Sequence, residues 1–271
     1  MWRWVVSLAA LCAVALGLQS LLFTERPLND APPAVSLPTH AFVISLYPAK
    51  GSEVAAHVQK HLDLSSVTVI AANTGDAELP LYTRNLIDEG RIDHMQIGNR
   101  PMVGCLLSHA SIWAKVDRWT YVFEDDAVLH SGSRAMAQWL VSDIQDLPWS
   151  ILMLQERSYI ADGAYTPIGK FASTCANCTW FGTRGYIINA RGAETLLKYV
   201  HPIVVQVDSL IGLVNKYDES FHMYWTRHEI VGLVSRLQTT VWDGCLRCYS
   251  RMPWILGAAM GCCCGWAAAR R

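Results

Sequence analysis

Charge is scarce in this chain and almost none of it is in excess. Asp, Glu, Lys and Arg make up 17% of 271 residues, and the formal net charge is −1. No run of Lys or Arg stands out, so the electrostatic footprint of a nucleic-acid binder is absent and no nucleic-acid partner is expected. A regular disulfide framework is lacking too. The nine cysteines are odd in number and Cys262, Cys263 and Cys264 are consecutive, which hints at an oxidising compartment without defining a set of bridges. What the chain has in quantity is apolar surface, at 52% of residues, part of it in two terminal segments. Its length is enough to bury a sizeable core in one or two domains.

The first of those segments, Trp4 to Phe23, contains no charged residue and is flanked by Arg3, Glu25 and Arg26. About twenty helical residues cover about 30 Å, the thickness of a bilayer core. Two explanations compete, an uncleaved signal anchor over residues 1–23 or a cleavable signal peptide cut near Ala15-Leu-Gly17; the anchor is favoured because Leu21, Leu22 and Phe23 prolong the apolar run past the cleavage point. Either one sends the remainder into a secretory lumen, and the anchor makes a single-pass type II membrane protein whose partner is the membrane itself. Residues 24–40, with Pro27, Pro32, Pro33 and Pro38, read as a stem. The main folded domain is expected over 41–250. The tail 251–271 ends in an apolar stretch that fits a peripheral tail, a second membrane segment or a packed helix.

Within the central region, Ala41 to Tyr47 and Val67 to Ala71 have strand composition, and Ser52 to Leu62 between them has helical spacing with Ser52 as cap. Strand, helix, strand in that rhythm argues for a parallel sheet. Pro101 to Val116 reads as a helix bearing Gly104, Cys105, Ser108 and His109. Then Tyr121, Val122 and Phe123, a buried strand by composition, run directly into Glu124, Asp125 and Asp126. Adjacent carboxylates repel, and gathering three at a strand end costs free energy unless a cation or hydrogen-bond donors compensate; a divalent metal accounts for them, with a solvated acidic turn as the alternative. In open α/β sheets ligands sit at the carboxyl ends of strands, where this cluster lies. Counting helix rise against strand rise brings Gly104 level with the acids, where a missing side chain permits close approach; His109 fits either a core histidine or a functional contact. Further on, Ser133 to Ile144 and Ala190 to Tyr199 are expected helices. Ile151 to Leu154 and Trp180 to Asn189 are expected strands, as are Phe221 to Trp225 and Glu229 to Val234. An extended segment from His201 to Asp208 precedes a helical stretch from Ser209 to Val214.

The order of these blocks resembles glycosyltransferase family 25, the lipooligosaccharide-biosynthesis and procollagen galactosyltransferase-like group, over residues 40–236. The similarity is carried by Gly104-Cys-Leu-Leu-Ser-His109, then Tyr121-Val-Phe-Glu-Asp-Asp126, then Gly182-Thr-Arg-Gly-Tyr-Ile-Ile-Asn-Ala-Arg-Gly-Ala193, and finally the segment reaching Asp208. The first strand departs from the pattern. It reads Val43-Ile-Ser-Leu46 where the family has Val-Ile-Asn-Leu with an arginine soon after; here Lys50 is the nearby positive charge.

The resemblance implies an α/β fold of GT-A type, a Rossmann-like mixed sheet flanked by helices behind an N-terminal transmembrane helix. It also implies transfer of a hexose, galactose foremost, from a nucleotide sugar such as a UDP-hexose to a glycan or protein acceptor with inversion at the anomeric carbon. Mn²⁺ or Mg²⁺ bridging the diphosphate suits oxygen ligands, with Asp126 leading and Glu124 or Asp125 holding ribose or metal-bound water. Asp208 is implied as the base for the acceptor hydroxyl, its other role being to cap the following helix. Gly104, Ser108 and His109 belong to the donor-binding set on the same ground. Tyr186 and Trp180 are aromatics able to stack on a ligand or to fill core, and His222 or His228 would supply a third metal ligand. Set against the enzyme is a catalytically silent relative that binds glycans or assists assembly. Cys175-x-x-Cys178 and Cys245-x-x-Cys248 suit a four-thiolate zinc site, two disulfides or a pairing across the two sites, and Asn177-Cys-Thr179 is a sequon that would mark an exposed loop in a lumenal chain.

Overall fold

A computed structural model describes residues 31–75, 100–155, 165–175 and 182–233. The expected anchor, the first seven residues of the stem, Asn177, Cys178, Trp180, Cys245, Cys248 and the C-terminal tail lie outside the described residues. Among the described residues no helix is long and apolar enough to cross a membrane. The chain divides into two units, Met1–Pro33 and Ala34–Arg271, and every element below belongs to the second.

That unit is built on one sheet. Strand β1 (His40–Ser45) pairs in parallel with β2 (Ser66–Ala71) on one side and with β3 (Trp119–Glu124) on the other. The parallel start expected from the strand, helix, strand rhythm is therefore present, and helix α1 (Pro48–Leu62) makes the first crossover. Beyond β3 the sheet becomes mixed. Strand β8 (Gly185–Asn189) runs antiparallel to both β3 and β5 (Ile151–Met153), and β9 (Met223–Thr226) returns parallel to β5. The edge is closed by β7 (Ala172–Thr174) and the two-residue β6 (Thr166–Pro167), giving eight strands in the order β2-β1-β3-β8-β5-β9-β7-β6. A separate ribbon pairs β4 (Ala127–Leu129) with β10 (Val231–Leu233).

Period-two alternation sorts the strand side chains onto two faces. Phe42, Ile44, Val122, Tyr186 and Ile188 pack on one, against α2 (Arg100–Trp113), α4 (Ala190–Tyr199) and α5 (Val207–Tyr217). Ala41, Val43, Tyr121, Phe123 and Ile187 pack on the other, against α1 and α3 (Ser133–Ile144). A central sheet flanked by helices on both faces is Rossmann-like, and it places Glu124 and Tyr186 on the same face because each lies an even number of residues from Val122 or Ile188.

Several boundaries move for physical reasons. Helix α1 starts at Pro48, because proline's fixed φ suits the first turn and its missing N–H is not needed there. Ser52 is consequently inside the helix, its hydroxyl donating back to the Pro48 carbonyl at 2.9 Å, and it caps nothing. Helix α2 stops at Trp113, where Lys115 and Val116 close tighter bonds to the carbonyls of Ile112 and Trp113. Helix α5 begins at Val207 with Gln206 at its N-cap, so Asp208 lies in the first turn and is not the capping residue.

Candidate active site

The acids emerge where β3 ends and the chain turns into β4, so Glu124, Asp125 and Asp126 stand between the main sheet and the ribbon. They do not act as a set. Asp125 is drawn toward β1: its Oδ2 accepts from Ser45 Oγ at 2.5 Å and its Oδ1 from Lys50 Nζ at 2.9 Å. Each oxygen thus has one protein partner, and the residue expected among the metal ligands is an ion-paired anchor at the mouth of the first strand. The two positions where this chain departs from the family pattern, Ser45 and the stretch ending at Lys50, are the ones that hold it.

Glu124 faces the opposite way, into the layer under α2. Its Oε1 accepts from the Thr183 hydroxyl and lies 3.4 Å from His109 Nε2. Burial pushes the Glu124 carboxyl up, but the hydrogen bonds from His109 and Thr183 and the charge of Arg184 outweigh it and hold the group below the usual carboxylate range. Asp126 has no such support. Its Oδ1 is buried without a hydrogen-bond partner among the described residues. Burial, then the neighbouring Glu124, push its carboxyl up to about 7, with Arg184 and Lys50 opposing. An orphaned anionic oxygen beside a second carboxylate is the condition that a hard divalent cation relieves, and the oxygen-only donor set fits Mn²⁺ or Mg²⁺.

Asp208 comes to the same place from α5. Its Oδ2 accepts from Gly182 N at 3.0 Å and its Oδ1 from Ser209 N at 2.8 Å. Burial, with Glu124 adding, raises it to about 6 against the pull of those backbone donors. Gly182 has φ +100, which a side chain would strain, and Gln155 fixes the segment after it by donating to Gly182 O at 2.7 Å and accepting from Arg184 N at 2.9 Å. That staple is what delivers Thr183 to Glu124 and Arg184 to the acids. Cys105 completes the ring: burial pushes its thiol up, and Glu124, Asp208 and Asp126 add to the rise.

The other sequence-derived residues fall into supporting positions. Gly104 does permit a close approach, but to the chain beyond β2: a Cβ there would sit 2.1 Å from the Asn73 carbonyl. Ser108 binds the same crossing, accepting from Asn73 N at 2.8 Å and donating to Gly104 O at 2.7 Å. His109 is a fully buried core histidine, yet its partners are side chains, Tyr186 and Glu124. Tyr186 is fully buried with its hydroxyl held between His109 and Trp113, so no ring face is open for stacking on a ligand. His222 precedes β9, and its backbone is bound to Ser150 at the far end of the sheet from the acids. His228 packs on the Phe171 ring at 5.2 Å. Neither histidine joins the acids.

Sequence reasoning gave no role to Thr183, Arg184 or Gln155, although the first two lie in a block it singled out. An orienting hydroxyl or amide carries no signature until its partner is known. Cys175 is half of a disulfide whose other half lies outside the described residues, which argues against a zinc site of four thiolates.

The acids cluster at the carboxyl edge of a Rossmann-like sheet, where open α/β folds receive their ligands. The sequence profile of glycosyltransferase family 25 (LPS biosynthesis protein) matches residues 39–211, more than half of the chain. The chain therefore belongs to glycosyltransferase family 25. It is similar to procollagen galactosyltransferase 1-A of Xenopus laevis, 29% identical over 111 residues that cover 39% of this chain and 18% of the relative. Procollagen galactosyltransferase 1-B of the same organism is 26% identical over 163 residues, covering 58% of this chain and 24% of the relative. The chain thus spans less than a quarter of the length of these relatives.

Proposed function

We propose that this protein is a metal-dependent, inverting glycosyltransferase of GT-A type that moves a hexose, galactose foremost, from a nucleotide sugar to a glycan or protein hydroxyl. The observation that carries the reading is Asp126, whose buried Oδ1 lacks a partner among the described residues, beside Glu124 at the edge where such folds receive ligands. When bound, Mn²⁺ or Mg²⁺ would act as a Lewis acid toward the departing diphosphate. Asp126 would hold that ion, with Glu124 beside it. Lys50 and Arg184 supply positive charge near the leaving group, and Asp125, fixed by Ser45 and Lys50, suits a sugar hydroxyl of the nucleoside. Asp208 would take the proton of the acceptor hydroxyl. A carboxyl raised to about 6 is still ionised at neutral pH and is a stronger base than an ordinary aspartate, and each of its oxygens keeps a lone pair beyond the one used by the backbone.

The same reading places the domain in a secretory lumen behind the apolar segment 4–23. A disulfide at Cys175 supports an oxidising compartment. Protease protection of the domain in sealed microsomes tests that placement.

A screen of nucleotide sugars with the full chain, with and without Mn²⁺, tests the activity. Turnover of one donor, dependent on metal and reduced by about 10²-fold or more in Asp126→Asn, is expected. No turnover with any donor would favour the silent glycan-binding relative, and an Asp126→Asn variant as active as wild type would overturn the role given to Asp126.

A further inference from the structure

Beneath Glu124 lies a chain of buried polar groups that a simple core does not require. Trp113 Nε1–H donates to Tyr186 Oη at 3.0 Å, Tyr186 Oη lies 2.8 Å from His109 Nδ1, and His109 Nε2 lies 3.4 Å from Glu124 Oε1. Trp113, Tyr186 and His109 are all essentially excluded from solvent. Indole can only donate and an ionised carboxylate can only accept, so with a neutral imidazole between them the direction of every bond is determined. With Glu124 accepting, His109 must carry its proton on Nε2. Nδ1 is then a lone pair, and Tyr186 O–H donates into it while its oxygen accepts from Trp113. Every group is satisfied.

The opposite tautomer fails on two counts. Nδ1–H would point at Tyr186 Oη, leaving the tyrosine proton with no acceptor in this chain of contacts, and the Nε2 lone pair would face Glu124 Oε1. Buried polar groups left in that condition are costly.

We infer that Trp113, Tyr186 and His109 are positioning residues: a one-way hydrogen-bond chain that locks His109 as its Nε2–H tautomer and, with Thr183, commits Glu124 Oε1 to the protein. Glu124 Oε2 is then the oxygen presented to the cation or nucleotide, since it has no hydrogen-bond partner among the described residues. A second consequence concerns Cys105, His109 and Glu124, whose donor atoms lie within 4.8 Å of one another in the manner of a metal site. With the proton on Nε2 that nitrogen offers no lone pair, so a thiolate-histidine centre there would require His109 to adopt the opposite tautomer. The role of Oε2 rests on the glycosyltransferase reading; the tautomer does not.

Two measurements on the full chain test this. Nitrogen-15 spectra of the histidine rings, with His109 assigned through its loss in His109→Gln, should show a protonated Nε2 and a bare, hydrogen-bonded Nδ1. The Nδ1 resonance should shift in Tyr186→Phe. Titration of Mn²⁺ in the presence of UDP, followed by the loss of free-ion EPR signal, should show about tenfold weaker binding in His109→Leu, of the size usual when a support of a metal ligand is removed. His109→Gln, which keeps a donor near the Nε2 position, should recover most of it, and Tyr186→Phe is the milder variant should His109→Leu fail to fold. A proton on Nδ1 in the wild type overturns the inference, as does Mn²⁺ binding unchanged in every folded variant. A wild type that binds no Mn²⁺ with UDP overturns the proposed function and the role of Oε2, while the ring spectra still decide the tautomer.

Discussion

Asp126 and Asp208 carry protons in the folded protein that an unfolded chain releases. Their ordinary value is 3.8, and in the fold they reach about 7 and about 6. Between those limits the native state binds more protons than the unfolded one, so stability falls as pH rises from about 4 to 7 and the penalty is fully present above the folded values. The expected outcome is a metal-free protein whose melting temperature drops between pH 5.5 and 7.5, with part of that slope removed in Asp126→Asn. Calorimetry across the range checks it. At this scale the sequence was informative about chemistry and silent about partners. Three acids after an aromatic strand could be read as a charged site, but that Asp125 turns to Ser45 and Lys50 while Glu124 turns to Thr183 depends on contacts 59 to 80 residues apart in the chain. No local pattern encodes that split.

Helices were the most legible elements. Ser133–Ile144 and Ala190–Tyr199 form with the bounds their spacing predicts, the second because Asn189 caps it by accepting from Gly192 N at 2.8 Å. Three of the short strands were not. β4, β6 and β7 are two or three residues long and exist because a partner strand lies alongside, as β10 does for β4, so composition alone could not announce them. The antiparallel course of β8 was equally hidden, since direction within a sheet is a property of the crossover and not of the strand. Helix α2 supplies the element-level prediction. Gly104→Ala places a methyl group 2.1 Å from a backbone carbonyl that cannot rotate away, so α2 must shift from the chain beyond β2. A loss of about 1–3 kcal/mol in urea unfolding is expected, together with weakened Mn²⁺ and UDP binding because Cys105 and His109 ride on the same helix.

For the whole molecule the two apolar layers supply the stability that offsets the burial of the acid cluster. Ligands that bind only the folded state raise it further: UDP with Mn²⁺ at about a hundred times its dissociation constant would add about 2.7 kcal/mol. For a domain of this size that is a rise of about 5–10 °C in melting temperature. Thermal denaturation should show it for the wild type and not for Asp126→Asn. The turn bearing Asp125 and Asp126 leaves the main sheet at β3 and is taken up two residues later by the ribbon of β4 and β10, whose far strand is itself tied to Leu154 through the amides of Ile230 and Val231. Clamped at both ends, these carboxylates have no hinge by which to swing apart. Their mutual repulsion is a standing appetite for positive charge, and on the proposed metal-dependent function a cation would meet a socket already shaped, with little ordering left to be done.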